Sequence, residues 1–134
     1  MKGQTALEYM IITGITLGII IPLFLFINSY AYSTNLDLKI RGLESSLEEL
    51  AQNSKLVYSQ GYPAKITSRI EIPNGVLYSN VTQDMFVVGV MTPSGKVDII
   101  AISEAPLNGS LPQTPGTHKV YLQMTSEGYV NVTY

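Results

Sequence analysis

At 134 residues the chain has room for one modest domain beyond any long N-terminal helix, and its net charge of -2, with Lys and Arg scattered along the sequence, leaves no basic footprint for nucleic acid. Cysteine is absent, which excludes a disulfide framework and a thiolate metal site.

The first predicted element is an apolar helix. An uncharged run extends from Tyr9 to Ile27, and its stretch Met10 to Ile27 is interrupted only by Thr13, Gly14, Thr16, Gly18 and Pro22. As a helix this stretch is roughly 27 Å long at about 1.5 Å per residue, enough for a hydrocarbon core. Lys2 is the only base ahead of it, which favours a cytoplasmic N-terminus and places everything after Asn28 outside. Glu8 stands directly before the run, four residues after Gln4. A carboxylate at the bilayer centre costs roughly 2.5 to 3.5 kcal/mol on insertion scales, so Glu8 calls for a partner or a place in the headgroup zone. Gly14-Ile15-Thr16-Leu17-Gly18 is a G-x-x-x-G element that permits close helix approach, although glycine is common in membrane helices. Pro22 removes one helix hydrogen bond and is a candidate kink.

The helix continues amphipathically over residues 34–60. Leu36, Ile40, Leu43, Leu47 and Leu50 recur in alternating steps of four and three, and Val57 resumes the register after Ser54. Gly42 and Ser45-Ser46 weaken helix propensity, so tertiary packing has to hold this half together; the stripe could serve as a coiled-coil seam, but with fewer than four full heptads packing against the chain's own sheet is the expectation. Gly61-Tyr62-Pro63 marks the stop.

From Ala64 the period changes to two. Ile66, Ile70 and Ile72 alternate with Lys65, Thr67, Arg69 and Glu71, and Pro73-Asn74-Gly75 predicts a hairpin turn into Val76–Val81. Met85–Met91 and Val97–Ile102, joined by Pro93-Ser94-Gly95-Lys96, are apolar on both faces and predict a central hairpin covered on both sides. Glu104 to Thr117, rich in Pro, Gly, Asn and Ser, predicts a long exposed loop and is where a surface or glycan ligand would be sought. His118 to Thr125 places Val120, Leu122 and Met124 on one face, and the last strand places Val130, Val132 and Tyr134 together with Asn131 and Thr133 opposite. The resulting expectation is an α+β fold, in which a long hydrophobic and then amphipathic helix precedes a small antiparallel, sandwich-like β domain over residues 62–134.

Three N-x-[ST] sequons, at Asn80, Asn108 and Asn131, all follow the apolar segment and are glycosylation candidates if that side is extracellular; each is equally an ordinary turn or strand residue. No catalytic constellation is apparent. His118 is the sole histidine, and Glu71, Asp84, Asp98, Glu104 and Glu127 lack metal-ligand spacing, so neither an enzyme nor a metal or other cofactor is expected.

Lys2-Gly3-Gln4-Thr5-Ala6-Leu7-Glu8-Tyr9, followed at once by the apolar helix, resembles the class III signal peptide of archaeal type IV pilins and pilin-like proteins. The family often has a serine where this chain has Ala6, while the Gly, Gln and Glu positions match. The resemblance implies that residues 1–3 are a leader cut by a prepilin peptidase between Gly3 and Gln4. It also implies that residues 4–30 are transmembrane before assembly and form the core of a helical homopolymer afterwards. The new α-amine of Gln4, with a reference pKa near 7.7 to 8.0, would be largely positive at neutral pH, and Glu8 would neutralise that of a neighbouring subunit. Gln4, Glu8, Gly14, Gly18 and Pro22 are then the assembly residues, and the expected location is the cytoplasmic membrane for the precursor and a surface filament for the mature chain. Three alternatives stay open: a secretory signal cut near Ala31-Tyr32-Ser33, a minor pilin-like subunit that binds a surface or sugar, and a membrane anchor that never polymerises.

Overall fold

The computed structural model describes all 134 residues. A single helix, α1 (Lys2–Gln60), is followed by seven strands: β1 (Lys65–Ile72), β2 (Val76–Val81), β3 (Met85–Thr92), β4 (Gly95–Ile102), β5 (Leu107–Gly109), β6 (Gly116–Met124) and β7 (Val130–Thr133). The protein is α+β, and it divides into two units, Met1–Asp37 and Leu38–Tyr134.

In the second unit the leucine stripe of α1 does what its spacing predicts. Leu43, Leu47, Leu50 and Val57 are fully buried, Ile40 is half-buried, and Glu44 and Glu48 on the other side are exposed. Removing each such side chain from water contributes about 1.5–3 kcal/mol, which offsets the weak propensity of Gly42 and Ser45-Ser46. Ser54 is tolerated in the seam because its hydroxyl donates to the Leu50 carbonyl at 2.7 Å. Gly61, at φ 77°, ends the helix, and its N–H bonds back to the Val57 carbonyl.

The strands form a four-stranded sheet in the order β1-β6-β7-β5 and a three-stranded sheet in the order β2-β3-β4. The two adjoin at β2 and the β5 segment, where the Leu107 N–H donates to the Gln83 carbonyl at 2.8 Å and the Ser79 hydroxyl donates to the Leu111 carbonyl at 3.0 Å. Inward residues of both sheets, among them Ile70, Phe86, Val88, Leu122 and Val132, join the α1 stripe in one hydrophobic core. Polar ties hold the helix at both ends of this strand array. Ser68 on β1 donates to Glu49 at 3.0 Å, and Lys55 pairs with Glu104, just beyond β4, at 2.6 Å.

Four expectations from sequence are corrected. Pro73-Asn74-Gly75 does not close a hairpin: β1 pairs antiparallel with β6 and β2 with β3, so the turn carries the chain from one sheet to the other. The Gly75 carbonyl accepts from the Met91 N–H at 2.8 Å, which anchors the turn to β3. The β3–β4 hairpin forms as expected, with Met85 facing Ile102 and Thr92 facing Gly95, but β4 is an edge strand covered on one face only. Ile99 and Ala101 point inward, while Ile100 and Ile102 are 53% and 74% exposed. Glu104–Thr117 is not one exposed excursion. Ala105, Leu107 and Leu111 are buried, and β5 within it pairs in parallel with β7, the one parallel ladder in the domain. Tyr134 is exposed rather than aligned with buried Val130 and Val132.

Candidate functional site

The candidate site is the first unit, Met1–Asp37, in which every side chain through Asn35 is exposed. It contains a window long and apolar enough to cross a membrane. In water this surface would be unstable, since each Å² of exposed apolar area costs roughly 25 cal/mol relative to burial. The helical backbone pairs its own N–H and C=O groups, as a span through lipid requires, except at the Gly18 carbonyl opposite Pro22. The hydroxyls of Thr13 and Thr16 donate to the carbonyls of Tyr9 and Ile12 at 2.8 Å each, so they add no unpaired donor to the apolar surface.

Gly3, Gln4 and Glu8 all lie on this helix and are exposed, with Gln4 and Glu8 one turn apart on the same side. Glu8 makes no ion pair within the chain, whose two salt bridges are Lys55–Glu104 and Lys96–Asp98. Gly14, Gly18 and Pro22 follow at steps of four and therefore share one side. A Cβ at Gly14 or Gly18 would meet nothing within 4 Å, so their lack of a side chain serves no contact inside this chain. Helix α1 continues through Pro22, which has no N–H for the Gly18 carbonyl four residues earlier.

The three sequons occupy the β domain in two settings. Asn80 is exposed on the outer side of β2, opposite Val87. Asn108 and the half-buried Asn131 are direct register partners on the parallel strands β5 and β7, an adjacency invisible in sequence. Gly109, at φ 135°, has an independent structural reason to be glycine, because a Cβ there would collide with the Val132 backbone.

Elsewhere the domain shows small polar constructions. On the outer face of the three-stranded sheet the Tyr78 ring lies against Gly89, where any Cβ would strike it, and its hydroxyl donates to Asp98. Lys96 sits 4.6 Å from that ring's centre and 3.6 Å from Asp98, and the Tyr78 phenol, followed by the Asp98 charge, holds its ammonium above the ordinary lysine range. His118 is a clasp, its Nε2–H donating to the Thr114 carbonyl at 2.7 Å and closing the loop before β6. No group of three or more acidic or histidine side chains converges. A groove of about 360 Å³ runs between α1 and β4, lined in part by Glu48, Lys55, Ile100 and Glu104.

Comparisons with protein-family models, with curated proteins and with solved structures gave no match to this chain. The functional reading therefore rests on the exposed apolar helix, the lone acid at its start, and the folded β domain that follows.

Proposed function

We propose that the protein is a structural subunit of an extracellular, type IV pilus-like filament that polymerises through its N-terminal helix and serves surface adhesion. The observation that carries this reading is the contrast within α1: every apolar side chain from Met1 through Tyr32 is exposed, whereas the β domain already has a closed core of its own. Such a segment needs an apolar environment from outside the chain, first lipid and then other copies of itself. Leader removal between Gly3 and Gln4 by a prepilin peptidase, implied by the resemblance of residues 2–8, supplies the amine that Glu8 lacks within its own chain. Gly14 and Gly18 give one side of the helix a low profile for close packing. A single heterologous contact of this kind, repeated, generates an open filament rather than a closed ring.

On this reading the chain has no enzymatic role and works as a membrane-inserted precursor, then as a surface polymer. The candidate glycans at Asn80, Asn108 and Asn131 would lie outside the cell. Mass spectrometry of N-terminal peptides from sheared surface material and from membranes tests it. A peptide beginning at Gln4 in the sheared high-molecular-weight fraction is expected. A chain beginning at Met1 and confined to membranes would establish an anchor instead, and one beginning after Ser33 a secreted domain.

A further inference from the structure

The β domain ends in two unpaired strand edges, β1 on the four-stranded sheet and β4 on the three-stranded sheet. Such edges present free backbone groups that invite another strand. Their directions follow from the ladders. β6 runs against β1, β7 runs against β6, and β5 runs with β7, so β5 shares the direction of β1. The pairs Gln83 with Leu107 and Ser79 with Leu111 show β2 running against the β5 segment, and β3 and β4 each reverse the strand before. Hence β4 runs opposite to β1. A polar stack repeats every copy the same way up, so β4 of one copy meets β1 of the next in the antiparallel sense.

We infer that β4 of one copy pairs with β1 of a second copy, giving the filament a lateral contact between β domains in addition to its helical core. This inference rests on the filament reading above. The side chains select one register. With Ile100 opposite Thr67 of the second copy, Asp98 faces Arg69 and Lys96 faces Glu71 on the outer side. Inward, Val97 faces Ile70, Ile99 faces Ser68 and Ala101 faces Ile66, so inward positions meet inward ones and outward positions outward ones. A slip of two residues one way sets Lys96 against Arg69, and a slip the other way sets Asp98 against Glu71. Like charges directly opposite each other are unfavourable in a ladder, and unlike charges favourable. Pairing would also take Ile100 and Ile102, now largely exposed, into the joint between two sheets.

The cysteine-free chain allows a direct test by disulfide trapping. Thr67→Cys with Ile100→Cys places two exposed thiols on facing positions, at the separation of a directly opposed cross-strand pair. Sheared filaments of this double variant, oxidised and run on a non-reducing gel, are expected to give a ladder of covalent multimers that collapses on reduction. Each single variant and the off-register pair Thr67→Cys with Ile102→Cys should stay monomeric. Filaments that give no ladder, or an equal ladder from the off-register pair, overturn the edge pairing and leave the filament intact. Absence of filaments from wild-type cells overturns the filament and the pairing with it. If the first double variant fails to polymerise, Lys65→Cys with Ile102→Cys reads the same register.

Discussion

Leu17 and Leu47 belong to the same helix, yet one is 50% exposed and the other fully buried. Met1–Asp37 and Leu38–Tyr134 thus divide α1 into a part whose side chains through Asn35 are all exposed and a part locked to two sheets. The first unit is built of strongly apolar residues without an amphipathic stripe, so periodicity selects no face for burial. The second has a narrow stripe, exposed acids and a polar tie at each side, so its orientation is determined within the chain. The difference separates two uses of one secondary structure: the stripe stabilises a fold, and the uniformly apolar segment requires a surrounding.

The largest effect that would sharpen this contrast is expected in the core. Leu47→Ala should lower the stability of the β domain by about 2–5 kcal/mol, whereas Ile19→Ala, in the other half of the helix, should leave it within about 0.5 kcal/mol. Denaturant unfolding of both variants in detergent would show this as one displaced and one unchanged midpoint, and equal displacement would mean that the units fold as one. Next comes Glu8→Gln, expected to leave mature protein in the membrane and the domain's unfolding unchanged while reducing filament yield. Normal filament numbers by electron microscopy would remove Glu8 from assembly. The smallest change is Tyr78→Phe, which deletes one exposed hydrogen bond to Asp98 and should cost about 0.5–1.5 kcal/mol in the same unfolding measurement.

The helix with its leucine stripe, its stop at Gly61 and the β3–β4 hairpin were legible in sequence because each is encoded by local spacing. Pro73-Asn74-Gly75 misled because turn chemistry specifies where a chain bends and not which strand it meets next. The partner of β1 lies in β6, more than forty residues away. The full cover expected for β4 failed because apolar residues on both faces read the same whether both or only one is buried. Within Glu104–Thr117 a usable signal was missed. Inward positions Ala101, Ser103, Ala105 and Leu107 continue a period of two out of β4, but small side chains and the neighbouring prolines gave them the look of a loop. The exposed apolar face and Glu8 were visible at once, whereas the abutting sequons at Asn108 and Asn131 needed the parallel ladder to be seen.

The back-bonded hydroxyls of Thr13 and Thr16 bear on how easily the helix changes surroundings. Because each bond closes within the segment, moving it from lipid into a protein bundle, or back again, neither breaks nor forms a hydroxyl bond, and the exchange is between two solvents of similar polarity. Only the Glu8 carboxylate and the Gly18 carbonyl left free by Pro22 would register the transfer. If the chain polymerises as proposed, a segment built this way would suit a reversible passage between reservoir and polymer, with direction set by whatever satisfies Glu8.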